Sequence, residues 1–405
     1  MREIILWVLA FISLFVSLFW LQVMYIKKKE YSNLNYFPSV SIIIPAHNEE
    51  KSIARTIKSV LNLDYPKDKL KIIVVNDQST DKTKEVAKKF KGVLVVDNKH
   101  NGIGKASALN RGLKLVSTEL FSVLDADSEV SKDSLKKLVV LFKEKNTAAA
   151  ISRIVIKNNK NILTNIQRIE YILATFIRKL MSKIDTLHIT PGVLSVYRTG
   201  VVKKLNGFDE NNITEDLEIA MKLRYYNYSV KMNDEAVTYT NVPFTLDKFW
   251  HQRIRWFRGF IYNNLKYKKM FMSKKHGLMG RLQVPMNAIT FITILLTFSL
   301  ISYEIISLLY KFVAKLILLK QDIIYTFRIP PIKELLLSIN INYIFPLTVA
   351  FLLSLYLLHL AHKTSKEKWL FNPPLLIYFS IYPIIRLVHW VTAMYKETTK
   401  AKRKW

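Results

Sequence analysis

Residues 121–127 read Phe121-Ser122-Val123-Leu124-Asp125-Ala126-Asp127: a short run of strand character that passes directly into two carboxylates with one residue between them. The pattern occurs twice more upstream. Val40–Ile44 leads into His47-Asn48-Glu49, and Lys71–Val75 leads into Asn76-Asp77. Between these runs lie stretches of helical pattern, Glu49–Leu61, Asp81–Phe90 and Lys105–Leu115, with a further strand at Val93–Val96. Strands alternating with helices predict βαβ units and a largely parallel sheet in an α/β domain. In such sheets ligands sit beyond the carboxyl ends of the strands. The polar clusters stand at those ends.

Outside this region the pattern is different. Residues 4–26, Ile4 to Ile26, are apolar and uncharged, long enough to cross a bilayer core as a helix of roughly 20 residues. A secretory signal peptide is the competing reading. The run has no small-residue cleavage site and enters Lys27-Lys28-Lys29 directly, which favours a retained anchor with the following domain in the cytoplasm. Asn161–Lys183 and Leu246–Lys275 read as amphipathic, basic helices, either core elements or helices lying at a membrane surface. Toward the C-terminus, Val284–Tyr310, Tyr343–Leu360 and Trp369–Val391 are apolar, the last broken by Pro373, Pro374, Pro383 and Arg386. Phe312–Leu319 is short and carries a lysine, so it reads as a loop or interfacial piece. Three C-terminal spans would put Ala401-Lys402-Arg403-Lys404-Trp405 outside, against the positive-inside rule; two spans and an interfacial piece would keep it inside.

Half of the 405 residues are hydrophobic, and the formal net charge is +30. So basic a chain suits an anionic lipid surface or a phosphorylated substrate. Nucleic acid is not expected as a partner, because no helix-turn-helix, zinc-finger or RNA-binding signature is present. With no cysteine, disulfides and thiolate metal sites are excluded.

Several residue sets carry chemistry by type and position. Asp125 and Asp127 past a buried strand suit a ribose and a divalent cation, since magnesium and manganese prefer oxygen ligands and a diphosphate adds its own. Asp77 closes a strand where a nucleobase or ribose edge could be read. Asn101-Gly102-Ile103-Gly104-Lys105 precedes a helix N-terminus, a favourable place for phosphate, and lacks the spacing of a Walker A loop. Lys105 is then a diphosphate contact or a solvated loop lysine. Thr214-Glu215-Asp216 opens a helix, where acidic residues also complement the helix dipole; a general base needs a carboxylate within hydrogen-bonding reach of an acceptor hydroxyl. In Gln252-Arg253-Ile254-Arg255-Trp256 the guanidinium forks suit a departing diphosphate and the indole suits a sugar face.

The order Ile44-Pro45-Ala46-His47-Asn48-Glu49, Asn76-Asp77, Asp125-Ala126-Asp127, Thr214-Glu215-Asp216 and Gln252-x-x-Arg255-Trp256 resembles the family 2 glycosyltransferases, in particular the processive membrane synthases of poly-N-acetylglucosamine, hyaluronan and cellulose. The resemblance covers residues 36–280. It implies a GT-A nucleotide-diphospho-sugar transferase domain with a mixed, mainly parallel sheet, and an inverting single displacement from a UDP-sugar that needs magnesium or manganese. It further implies that Ala46, His47, Glu49 and Asp77 hold the uridine and that Lys105 and Asp125 contact the nucleotide. Asp127 would ligate the metal, Asp216 would act as base, and Gln252, Arg255 and Trp256 would lie at the diphosphate and acceptor. Ile189-Thr190-Pro191-Gly192 is similar to the loop lining the acceptor pocket. His47 and Asn76 depart from the Tyr and Asp frequent in the family, both on the nucleobase side.

The expected organisation is an anchor at 4–26, a cytosolic transferase domain at 36–245, an interfacial segment at 246–280 and a C-terminal transmembrane region at 284–394. The leading functional expectation is polysaccharide synthesis coupled to export across the cell membrane. A single transfer onto a lipid acceptor, as in the similar ceramide glucosyltransferases, is the alternative, and a non-catalytic channel or scaffold is a third.

Overall fold

The computed structural model describes residues 2–27, 36–98, 104–158, 160–319, 331, 341–367 and 373–401. Lys28, Lys29, Asn101-Gly102-Ile103, Trp369 and residues 402–405, which figure in the sequence analysis, lie outside them. The chain divides into two compact units, one of residues 1–25 and 286–360, the other of residues 26–285 and 361–405.

In the second unit the strands are β1 (Val40–Ala46), β2 (Leu70–Asn76), β3 (Val93–Asp97), β4 (Leu120–Leu124), β5 (Glu129–Val130), β6 (Thr147–Ile156), β7 (Val193–Arg198) and β8 (Ser229–Thr240). The helices in its 26–285 stretch include α2 (Ile53–Leu61), α3 (Thr83–Lys88), α4 (Lys105–Leu115), α5 (Ser134–Val139), α6 (Ile162–Lys183), α7 (Thr199–Lys204), α8 (Glu215–Tyr225) and α9 (Leu246–Lys266); α1 (Arg2–Met24) precedes them in the other unit. The strands form one sheet in the order β3-β2-β1-β4-β7-β6-β8-β5. Pairing is parallel across β3-β2-β1-β4 and in β6-β8, and antiparallel where β7 meets β4 and β6 and where β5 meets β8.

Strand residues alternate between faces, and both faces of this sheet are covered. Val40, Ile42, Ile44 and Ala46 of β1 pack with Ile53, Ile57 and Val60 of α2 on one side. Ile43, with Ile73 and Val75, packs against Ala106, Leu109 and Leu113 of α4 and Ile219 of α8 on the other. Double coverage is why these strands read as unbroken apolar runs. Gly112 lies where α4 approaches β1; a Cβ there would collide with Ile43.

The sequence places a helix at Asn161–Lys183, and α6 matches it, with Asn161 as N-cap in a reciprocal capping box with Thr164. Two predicted helices are shorter at the N-terminus: α2 starts at Ile53 and not Glu49, and α3 at Thr83 and not Asp81. There the side chains of Glu49, Asp81 and Thr83 are tied into turns, with Thr83 Oγ1 accepting from the Glu49 N–H at 2.7 Å. Phe312–Leu319 differs from expectation. It is no loop but continues α10 (Val284–Leu319), a helix of 36 residues. At 1.5 Å per residue, α10 is about 54 Å long, more than the roughly 30 Å of a hydrocarbon core.

Among the described residues, three helices are long and apolar enough to cross a membrane: Glu3–Met24, Met279–Leu318 and Ile344–Ser365. The Pro-rich stretch forms two shorter helices, Pro373–Ser380 and Tyr382–Thr398, bent by 46°. The first packs on α6 and the second on α9. Phe257 of α9 stacks on Trp390 with ring centroids 4.3 Å apart.

Candidate active site

The carboxyl ends of β1, β2 and β4 lie side by side, because Ala46 pairs with Asn76 and β4 flanks β1. Asp77, buried just past β2, is fixed by three elements. Its N–H donates to the Ala46 carbonyl at 2.8 Å, and its carboxylate accepts from Asn98 Nδ2 at 2.8 Å and from the Gly104 N–H at 3.2 Å. His47 Nδ1 lies 2.6 Å from the Asp77 carbonyl, and its ring is exposed at the strand end. Asn48 and Gln78 both take left-handed backbone angles, at φ 55° and 56°, a strain found where turns are held for a purpose. The Glu49 carboxylate accepts from the Ser52 hydroxyl. Asn76, the residue that departs from the family pattern, donates to Asp97 Oδ1 at 3.0 Å, and Asp97 is paired with Lys84 at 2.6 Å. The carboxylate that Asn76 lacks is therefore present one strand away.

Lys105, the first residue of α4, joins Asp125 at the end of β4 to Glu215 of α8. Its ammonium lies 2.6 Å from Asp125 Oδ1 and 3.1 Å from Glu215 Oε1. Burial alone would favour the neutral amine, but Asp125, Glu215 and Asp216 together raise its pKa well above that of a free lysine, so it stays charged. Gly192 packs against this pair: the Asp125 N–H donates to its carbonyl at 2.9 Å, and a Cβ at 192 would collide with Lys105 Nζ and the Asp125 carboxylate. Glu215 is almost fully buried, and its Oε2 has no hydrogen-bond partner among the described residues.

Asp127 is one residue beyond Ala126, whose carbonyl accepts from Thr56 Oγ1 at 2.7 Å. Burial pushes its carboxyl up to about 6, and the Asp125 and Glu49 carboxylates push in the same direction. Such crowding of negative charge is what a cation relieves. Among the described residues no group of three or more His, Asp or Glu closes a full protein cage. An ion here would complete its shell from diphosphate oxygens and water, as magnesium and manganese commonly do.

Asp216, in the first turn of α8, is half-buried. Its Oδ1 accepts from the Leu217 N–H at 2.8 Å, and its carbonyl accepts from Thr190 Oγ1 at 2.7 Å. Burial pushes its carboxyl up to about 6, Glu215 adds to the rise, and Lys105 and Arg255 oppose it. The loop at 189–192 is thus latched to Asp216 through Thr190 and to Asp125 through Gly192.

On α9 the two arginines of the Gln252–Trp256 motif part company. Arg255 Nη1 donates to the Ile213 carbonyl at 3.0 Å, beside the Thr214-Glu215-Asp216 turn. Arg253, the second guanidinium fork of the motif, is instead turned into the protein. It is 1% exposed, paired with Glu170 of α6 at 2.6 Å, and donates to Gln252 Oε1 at 2.5 Å. Its guanidinium lies over the Trp256 ring, 4.2 Å from the centroid. Trp256 also approaches Tyr171 of α6, at 6.4 Å between centroids. Sequence inspection missed Arg253 as an organiser of Gln252 and Trp256, and missed Glu170 and Asn98 altogether. The signal for Glu170 was an acidic residue on an otherwise basic helix.

Residues 41–205 match the family described as Glycosyl transferase family 2. The probable glycosyltransferase YdaM of Bacillus subtilis (strain 168) is 34% identical over 255 residues, 60% of this chain and 60% of that protein. The poly-beta-1,6-N-acetyl-D-glucosamine synthase of Staphylococcus epidermidis is 32% identical over 267 residues, 62% of this chain and 64% of that protein. The match thus spans less than two thirds of these relatives. Among solved structures, the mannosyltransferase PcManGT of Pyrobaculum calidifontis, in complex with GDP-Man and Mn2+, has a TM-score of 0.67 over 99% of this chain and 100% of that one, at 18% identity, which is a likeness of fold. Motif order, sheet topology and sequence matches agree: residues 41–205 are similar to the family 2 glycosyl transferases, and the fold is GT-A-like.

Proposed function

We propose that this protein is a membrane-bound glycosyltransferase that moves a sugar from a nucleoside-diphosphate donor, a UDP-sugar in our reading, to the hydroxyl of a growing polysaccharide. The observation that carries this is the Lys105 bridge: one ammonium links Asp125, at the end of a nucleotide-side strand, to Glu215, next to Asp216. A donor site and a base site are thereby brought together from β4 and α8.

In this reading Ala46, His47, Glu49 and Asp77 receive the nucleoside and Asp125 the nucleotide. Asp216 takes the proton from the acceptor hydroxyl, whose oxygen attacks the anomeric carbon from the face opposite the diphosphate. The carbon–oxygen bond to the diphosphate breaks, the nucleoside diphosphate leaves with the electron pair, and the configuration inverts. Lys105 and Arg255 place positive charge where it develops. A divalent cation at Asp127 would supply further charge neutralisation on the leaving oxygens. Gln252 and Trp256, locked by Arg253, shape the acceptor side.

The contacts of the C-terminal helices support a membrane arrangement with two crossings after the domain. Glu367, beyond Ile344–Ser365, pairs with Arg168 of α6. At the chain's end, Arg258 of α9 pairs with Glu397 at 2.7 Å and donates to the Ala401 carbonyl at 2.6 Å. Both ends of the bent pair then lie on the catalytic side, which keeps the basic tail inside. The supporting relative makes a poly-N-acetylglucosamine.

The test is a panel of nucleotide-sugars given to membranes holding the protein, with the products sized. A ladder of oligosaccharides from one UDP-sugar is expected. A single sugar on lipid would replace the polymer reading, and no release of nucleoside diphosphate from any donor would overturn the enzyme.

A further inference from the structure

On α9, residues Arg255, Gly259 and Asn263 are spaced by four and therefore share one face, and Tyr267, the C-cap residue, follows at the same spacing. That face meets residues 212–218 along its whole length. Arg255 Nη1 donates to the Ile213 carbonyl at 3.0 Å. Gly259 faces Thr214 so closely that a Cβ would collide with its side chain. Asn263 Nδ2 donates to Thr214 Oγ1 at 3.1 Å, and Asn263 Oδ1 accepts from Asn212 Nδ2 at 2.8 Å. Asn212 Oδ1 accepts from the Thr214 N–H at 3.1 Å and from its hydroxyl at 3.2 Å. One turn further, the Tyr267 hydroxyl donates to Glu218 Oε1 at 2.6 Å.

Asn212, Thr214 and Asn263 are at most 3% exposed, and none has a buried polar side-chain atom without a partner. Three buried polar side chains offer no stability that an apolar trio could not match, but a fully made network permits only one arrangement. Gly259 in a helix interior costs about 1 kcal/mol of helix propensity. Two local departures at one contact mark a place where geometry matters more than stability.

We propose that Asn263 and Gly259, acting through Asn212 and Thr214, are positioning residues that fix Asp216 relative to Arg255. The segment 212–216 is held by α9 on one side and by Thr190 on the other. Asp216 then cannot shift independently of the helix that carries Gln252, Arg255 and Trp256. The proposal rests on the reading of Asp216 as base.

The experiment measures transfer rate at saturating donor, UDP affinity by calorimetry and Tm for Thr214→Val, Thr214→Ser and Asn263→Ala, each alone and combined with Asp216→Asn. Misplacing a catalytic group by about 1 Å can cost about a hundredfold. Thr214→Val and Asn263→Ala are expected to lower transfer by about tenfold to a hundredfold, with UDP affinity held within about threefold. Thr214→Ser, which keeps the hydroxyl, should restore transfer. In the Asp216→Asn background the same substitutions should cost less than about threefold, because residues that act through one group are not additive. Equal losses in both backgrounds, or UDP affinity falling in step with transfer, would show ordinary packing and overturn the proposal. If Asp216→Asn alone transfers at the wild-type rate, the base assignment fails instead, which is a separate result. Should Asn263→Ala not fold, or the doubly substituted proteins fall below detection, the near-isosteric Val and Ser pair at 214 decides.

Discussion

Arg253 and Glu170 form an ion pair at 2.6 Å between α9 and α6, with the guanidinium 1% exposed and lying over both Phe249 and Trp256. Removing one partner of a buried pair costs up to about 3–5 kcal/mol, and the charge of Arg386 beside Glu170 offsets part of that loss. Arg253→Ala should therefore lower Tm sharply, whereas Arg255→Ala should lower sugar transfer with little change in Tm. Thermal unfolding and activity on the same two variants check this. Equal Tm losses would show that the two arginines do not divide structure and chemistry between them.

The Asp216 carboxyl is pushed up to about 6 by burial and Glu215. A base must be deprotonated, so transfer should fall by about tenfold per pH unit below that value and level off above it. Asp216→Asn should lower transfer by about 10²–10⁴-fold at neutral pH and leave UDP binding in place. Stability moves the other way. The native carboxyl holds its proton at higher pH than an unfolded one near 4, so acidification from about 6 to about 4 favours the folded state at this residue. Asp216→Asn removes the buried charge and should raise Tm at neutral pH. A transfer rate that stays flat down to pH 5 would place the base elsewhere, with Glu215 the next candidate.

Gly192→Ala brings a methyl group onto Lys105 Nζ and the Asp125 carboxylate. Either the ion pair opens or the loop moves, and both displace the bridge between donor and base sites. We expect weaker UDP binding together with a transfer loss of at least about tenfold. Calorimetry and product formation on one sample read both effects; wild-type values for the two would mean that the close approach has no functional role.

Asp127→Asn should abolish metal-stimulated nucleotide binding and transfer while the protein stays folded and membrane-inserted. Chelation of the wild type with EDTA should have the same effect. Full transfer in EDTA would remove the role given to Asp127.

The chain has no cysteine, so single cysteines report topology cleanly. Cysteines placed at the exposed positions Lys143 and Lys400 should both resist impermeant thiol reagents in intact cells, because Arg258 ties Ala401 to the catalytic unit. Labelling of position 400 alone would put the C-terminus across the membrane from the domain.

The parallel half of the sheet was legible in the sequence because strands covered on both faces are continuously apolar and stop where the polar strand-end residues begin. Asp77, Asp125 and Asp127 could be read for the same reason. The other half of the sheet was not read as strands; Thr147–Ile156 carries small alanines and Ser229–Thr240 mixes polar residues, so neither shows a clear period. Other features depended on folding. Arg253 and Arg255 are two residues apart, which on a helix is 200° of rotation, so they face opposite ways. Only the position of α6 and of the 212–214 turn decides which one is buried in an ion pair and which reaches the site. The proline-broken segment 373–398 had the composition of a span; its packing on α6 and α9 is a tertiary fact. Residue types and local periods are written along the chain, whereas the meeting of Asn263 with Thr214, or of Lys105 with Glu215, joins positions 49 and 110 residues apart and exists only once the elements have docked.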